Sequence, residues 1–108
     1  MKKLTINGTE YILKNVLRNF FIYEELKGEP FAFGKLIDEY LLFYSTLLAN
    51  NETFDMPFGE FIGLCDADPS LFATYKTFVV AELEKQAQAA GKSKQSKKRE
   101  ANKRSRIV

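Results

Sequence analysis

The amino-acid sequence predicts an α+β domain over residues 1–91, an N-terminal β-hairpin packed on a bundle of about four α-helices, followed by a disordered basic tail over residues 92–108. Three observations lead there. Asn7-Gly8 sits between two short runs with alternating apolar residues, the strongest short-range hairpin signal a sequence carries. From Val16 to about Ala90 the apolar residues recur at the i, i+3, i+4, i+7 spacing that places side chains on one face of a helix. Charge is divided unevenly: residues 1–91 hold 8 Lys/Arg against 13 Asp/Glu, a net of −5, and residues 92–108 hold 8 against Glu100 alone, a net of +7. At 108 residues the chain can build one modest core and no more.

In the hairpin, Leu4 and Ile6 alternate on one strand, and Tyr11 and Leu13 on the other. One face is therefore apolar and must lie on the helices. Thr9 can lengthen the loop, which leaves the pairing register open. Asn15 is the expected N-cap of a helix from Val16 to about Leu26, with Val16, Leu17, Phe20, Phe21, Tyr23 and Leu26 in a wide apolar arc. Gly28 supplies the left-handed residue that closes this helix, and Pro30 enforces the break.

The longest apolar stretch, Phe33 to Ala49, predicts the central helix. Its stripe is Phe33, Leu36, Ile37, Tyr40, Leu41, Tyr44, Leu47 and Leu48, with Leu42 and Phe43 on neighbouring flanks and a polar sector of Lys35, Asp38 and Glu39. A helix this apolar calls for cover on more than one side. Its uncharged part, Tyr40 to Ala49, is far shorter than the ~20 residues a membrane span requires. Asn50-Asn51-Glu52 ends it in a polar turn. Pro57 suits the start of a short helix, Phe58 to Cys65, with Phe58, Phe61, Ile62 and Cys65 on one face. Gly59 and Gly63 weaken it by roughly 1 kcal/mol each relative to Ala, so docking must hold it. Asp68-Pro69 is an acidic cap followed by proline at the first helical position. The last helix should run to about Ala90 with Leu71, Phe72, Tyr75, Phe78, Val79 and Leu83 inward, and stop at Gly91. Beyond it the chain is too polar and too charged to offset its ordering entropy.

Catalytic and metal chemistry find little purchase. The chain has no His, the commonest general base and transition-metal ligand. Cys65 lies on an apolar face without a base partner and reads as a small buried hydrophobe. Asp66 and Asp68, with Glu60 nearby, lack the ligand series of a calcium loop. No glycine-rich loop follows a strand as a phosphate cradle would. We therefore expect a protein that is not an enzyme and has no cofactor and no metal. The single Cys65 and the alternating MKKLTING start, in place of an apolar leader, point to a cytoplasmic protein with no membrane association.

The opening LTINGTEYILK followed by VLRNFFIYEELKGEPF resembles the start of the small tail assembly chaperones of long-tailed phages and prophages. The matching positions are Leu4, Ile6, Asn7, Gly8, Tyr11, Arg18, Glu24, Glu25 and Gly28, and the later TFDMPFGEFIGLCDADPSLF resembles that family's short helix, acidic turn and helix. The likeness covers residues 3–85. It implies a non-enzymatic protein that binds the tape measure protein during tail assembly and keeps it soluble, with some copies lengthened by ribosomal frameshifting. A holdase for helical segments needs exposed apolar surface rimmed with charge. Leu42, Phe43, Phe54 and Phe58 are the candidate partner-binding residues, being those a four-helix arrangement struggles to bury together, although aromatic residues at helical spacing more often belong to the core. Self-association into a homo-oligomer is compatible with the same surface.

The alternative function is a small accessory protein that binds RNA or DNA through Lys92, Lys94, Lys97, Lys98, Arg99, Lys103, Arg104 and Arg106. Such binding would be salt-dependent and, with no aromatic residue among the basic ones, weak and unspecific.

Overall fold

The computed structural model describes the backbone of residues 1–97 and the side chains of residues 1–87. The architecture is an antiparallel two-stranded hairpin, β1 (Lys2–Ile6) and β2 (Thr9–Leu13), followed by α1 (Leu17–Lys27), α2 (Leu36–Asn50), α3 (Phe58–Ala67) and α4 (Ser70–Lys97). Ile6 pairs with Thr9 and Lys2 with Leu13, so the loop is Asn7-Gly8 alone and Thr9 belongs to the strand. Both loop residues have positive φ, 52° and 80°, as a two-residue type I′ turn demands.

The hairpin lays Leu4, Ile6 and Leu13 into the core. Its attachment to the helices is specific. The Asn51 side chain, just past α2, accepts the Ile12 amide at 2.8 Å and donates to the Ile12 carbonyl at 2.9 Å, so one side-chain amide pairs with β2 as a neighbouring strand would. Asn50 donates to the Thr46 carbonyl and to Asn19 Oδ1, which ties the same end of α2 to α1. The polar turn expected from Asn50-Asn51-Glu52 is thus also a latch.

Helix α1 starts one residue later than expected. Val16 is the N-cap residue without a side-chain cap, and Asn15 caps nothing; the buried Asn19 instead donates to the Lys14 carbonyl at 2.7 Å. The far end is as expected: Gly28 takes φ 84° and its amide bonds the Glu24 carbonyl at 2.8 Å, a left-handed C-terminal closure. In the connection to α2, Phe31 lies edge-on to Tyr23 and Phe33. Gly34 takes φ 131°, a conformation closed to L-residues, and this breaks any helix begun at Phe33.

Helix α2 is the hub, touching α1, β2, α3 and α4. Leu42 to Leu47 are buried in an unbroken run. Within it the Ser45 and Thr46 hydroxyls donate to the Leu41 and Leu42 carbonyls, which lets two polar side chains stay dry. The face that is covered differs from the expected stripe. Tyr44 and Leu47 are buried and Tyr40, Leu41 and Leu48 half-buried, but Phe33, Leu36 and Ile37 stand in solvent.

Phe43 is wholly buried at the centre of an aromatic cluster, stacked on Tyr75 at 4.4 Å and edge-on to Phe61 at 5.0 Å. Helix α4 is started by Asp68, whose Oδ1 accepts the Ser70 amide at 3.1 Å. It contributes Leu71, Tyr75 and Phe78 to the core, while Leu83 is largely exposed. The helix continues through Gly91, where its end was expected, to Lys97. Glycine lowers helix propensity by about 1 kcal/mol, which good formers on either side outweigh. The remainder of the basic tail, residues 98–108, lies outside the described residues.

Candidate protein-binding surface

The four residues expected to meet a partner divide in a way that corrects the expectation. Leu42, Phe43 and Phe54 are core residues. Phe54 lies edge-on to Tyr11 of the hairpin at 5.4 Å and to Tyr44 of α2 at 5.6 Å. Three aromatic rings from separate elements close over one another there, so the surface they were expected to form does not exist. Phe58 alone keeps a surface role: it is half-buried on α3, 5.3 Å from the Tyr44 ring. Of the basic residues, Lys92, Lys94 and Lys97 belong to the last turns of α4, and Lys98, Arg99, Lys103, Arg104 and Arg106 fall outside the described residues.

The exposed apolar residues are others. On α1, Leu17 and Phe21 stand one turn apart on the outward side, 72% and 58% exposed, beside Arg18 and Glu25. At the start of α2, Leu36 and Ile37 are 64% and 61% exposed. Two apolar depressions adjoin these residues. One, of about 90 Å³, lies between α1, the α1–α2 connection and α4, with Phe20, Phe33, Val79 and Leu83 on its walls and Asn19 and Thr46 deeper in. The other is broader, about 310 Å³, and lies between the first turn of α2 and α3, lined by Leu36, Ile37, Tyr40, Phe58, Ile62 and Cys65 with Asp66 at its edge.

The charged residues at this second groove are Asp66 at its edge and Lys35, which directly precedes Leu36. Between Leu36 and Tyr75, forty residues, there are seven Asp/Glu and no Lys or Arg. Two of the seven carboxylates are neutralised by cations from outside the stretch. Asp38 accepts from Lys27 Nζ at 2.8 Å, and Glu39 pairs with Lys76. The Lys27 hydrogen bond holds the Asp38 carboxyl below its ordinary value, and the same bond raises the lysine. Tyr23 completes this clasp between α1 and α2, its phenol pushed up by burial and by the neighbouring carboxylate. Among the described residues Glu60, Asp66 and Asp68 take part in no ion pair.

Cys65 is buried, and burial together with Asp66 and Asp68 pushes its thiol up to about 11, which withholds the thiolate that nucleophilic chemistry uses. Among the described residues no three His, Cys, Asp or Glu side chains are grouped as metal ligands. No helix among them is long and apolar enough to cross a membrane. A surface of this kind can bury a partner's apolar side chains and steer its charges. No family model, no curated protein and no solved structure matches the chain.

Proposed function

We propose that the protein is a non-enzymatic phage or prophage tail assembly chaperone that binds the tape measure protein in the host cytoplasm. The observation that carries this is the amount of large apolar surface left outside a core that is otherwise closed: Leu17, Phe21, Leu26, Phe33, Leu36 and Ile37 are all more than half exposed. Contiguous apolar surface rimmed with charge marks a site of protein contact, and a helical client with an apolar stripe is the partner such grooves fit. The residues that carry the resemblance to tail chaperones also have structural roles consistent with it. Asn7-Gly8 makes the hairpin turn, and Gly28 closes α1.

The test is co-expression with the product of the neighbouring gene, which this reading expects to be a tape measure protein. The expected result is that the client, insoluble alone, remains in the soluble fraction and co-purifies with this protein, and that Leu17→Ser/Phe21→Ser or Leu36→Ser/Ile37→Ser reduces the yield. A client equally soluble without the protein would overturn the proposal. So would loss of all binding on removing residues 98–108 alone, which would favour the accessory role in nucleic-acid binding.

A further inference from the structure

The hairpin has two edges, and the fold treats them differently. With Asn7-Gly8 as the whole loop, Ile6 and Thr9 form a hydrogen-bonded pair, and such pairs alternate along an antiparallel ladder. Leu4–Tyr11 and Lys2–Leu13 are therefore bonded inward. The amides and carbonyls of Lys3 and Thr5 point away from β2, and those of Glu10 and Ile12 away from β1. On the β2 side, Asn51 takes both groups of Ile12, which confirms the alternation and plugs that edge. On the β1 side, among the described residues, no hydrogen bond from outside the hairpin reaches the Lys3 or Thr5 backbone, and both residues are exposed. An unpaired strand edge is a template for another strand.

We propose that β1 pairs antiparallel with β1 of a second copy of this chain, across a two-fold axis at Leu4, giving a sheet in the order β2–β1–β1–β2. The occupant follows from the register. An axis at Leu4 sets Lys3 opposite Thr5 of the other copy on both sides, so every outward amide finds an outward carbonyl. Lys2 then faces Ile6 of the other copy, and no two lysines are opposed. An axis at Lys3 puts like charges face to face, and an axis at Thr5 pairs Lys3 with Asn7, which lies in the turn with positive φ. The lysines that guard an edge against indiscriminate pairing thus select one register. On the outer face the row Ile12–Lys3 continues into Thr5 and Glu10 of the other copy. Lys3 therefore has its own Glu10 on the diagonal and a second Glu10 beyond a small Thr, and opposite charges placed in this way fix register. Among the described residues Lys3 and Glu10 belong to no ion pair. Assembly also closes: both outer edges of the combined sheet are β2, already bonded at Ile12 to Asn51, so pairing stops at two copies. The contact is small, which makes the dimer weak and reversible. This edge is separate from the exposed residues of α1 and α2, and the inference does not rest on the chaperone reading.

The test is sedimentation equilibrium of the full chain from about 10 μM to about 1 mM, with amide hydrogen exchange read residue by residue at both ends of that range. The mass should rise from monomer towards dimer and no further. The Lys3 and Thr5 amides should exchange several-fold more slowly at the high concentration, while the outward Glu10 amide, on the other edge, keeps one rate. Thr5→Lys faces its own Glu10 within the hairpin but Lys3 across the axis, so it should leave the thermal midpoint unchanged and raise the dissociation constant at least several-fold. Thr5→Pro, which removes an outward amide that the hairpin does not use, should abolish dimerisation.

A monomer throughout the range, a dimer in which the Lys3 and Thr5 amides exchange as fast as in the monomer, or a Thr5→Lys variant that dimerises like the parent would each overturn the proposal. Protection of Lys3 and Thr5 that is independent of concentration and lost on removing residues 98–108 would show that the chain's own tail takes the edge, and assembly running on past two copies would show that the sheet does not close; either also overturns it. Should Thr5→Pro fail to fold, Thr5→Lys and the exchange rates of the parent decide the matter.

Discussion

Replacing Phe43 by Ala tests the most consequential feature of the fold, the assignment of this ring to the core and not to the surface. The ring is wholly buried, stacked on Tyr75 and edge-on to Phe61. Truncating a buried Phe to Ala costs about 3–5 kcal/mol, the transfer of the lost atoms plus the cavity left behind. Two well-formed aromatic pairs, each worth roughly 0.5–1.5 kcal/mol beyond their area, place this site in the upper part of that range. Against a total stability of about 5–15 kcal/mol the loss is large. At roughly 4–8 °C per kcal/mol for a domain near this size, it lowers the thermal midpoint by some tens of degrees.

Urea unfolding followed by circular dichroism measures it directly, with an unchanged slope required for the comparison. Should Phe43→Ala fail to fold, Phe43→Leu keeps most of the volume and should lose about 1.5 kcal/mol. Ile37→Ala, on the exposed part of the same helix, should change stability by no more than about 0.5 kcal/mol. A loss below about 1 kcal/mol for Phe43→Ala, or a larger loss for Ile37→Ala, would refute the packing argument.

The remaining predictions concern the latch, the clasp and the thiol. Asn51→Ala leaves both backbone groups of Ile12 without their partner and should cost about 1–3 kcal/mol, with amide exchange at Ile12 accelerated more than at Leu4 or Ile6. Asp38 has a carboxyl held below its ordinary 3.8, so its contribution is present above that value and is lost as pH falls through the folded value. The thermal midpoints of the parent and Asp38→Asn should therefore differ at neutral pH and converge only in acid well below 3.8, as Asp38 takes up its proton. Lys27, raised above 10.5, adds stability that is complete below that pH and lost at higher pH, so the clasp also weakens in strong alkali. Cys65, with a thiol near 11 in place of 9.0, should react with a thiol reagent at pH 8 about 100-fold more slowly in the folded protein than in urea, from thiolate fraction alone; comparable rates would place it at the surface.

Local chemistry was legible wherever a single residue's conformation or its near neighbours decide the outcome. Asn7-Gly8 turns because both residues tolerate positive φ, Gly28 closes α1 for the same reason, and Asp68 starts α4 by presenting an oxygen to the amide two residues on. Helix periods were legible too, because the 3.6-residue repeat is written in the spacing of apolar residues. The candidate surface was less so. Leu42, Phe43, Phe54 and Phe58 were candidates for the surface against the commoner core role of apolar residues at helical spacing; the first three are buried and Phe58 is half-buried. The broad groove, where Leu36 and Ile37 face Phe58 and Ile62, exists only because α2 and α3 stand side by side, which the spacing of residues within either helix does not specify.

What the sequence by itself determined is the set of elements, their turns and the division of charge between body and tail, since these depend on contacts within a few residues. Only the tertiary structure decided which side of α2 is covered. A helix apolar around most of its circumference specifies angles about its own axis but not where its neighbours stand. The first turn of α2 is held through Asp38 to Lys27 of α1 and through Glu39 to Lys76 of α4, which turns Leu36 and Ile37 away from both. Leu36 and Ile37, identical in kind to the residues a turn or two further on, are left facing water because no other part of the described chain reaches them.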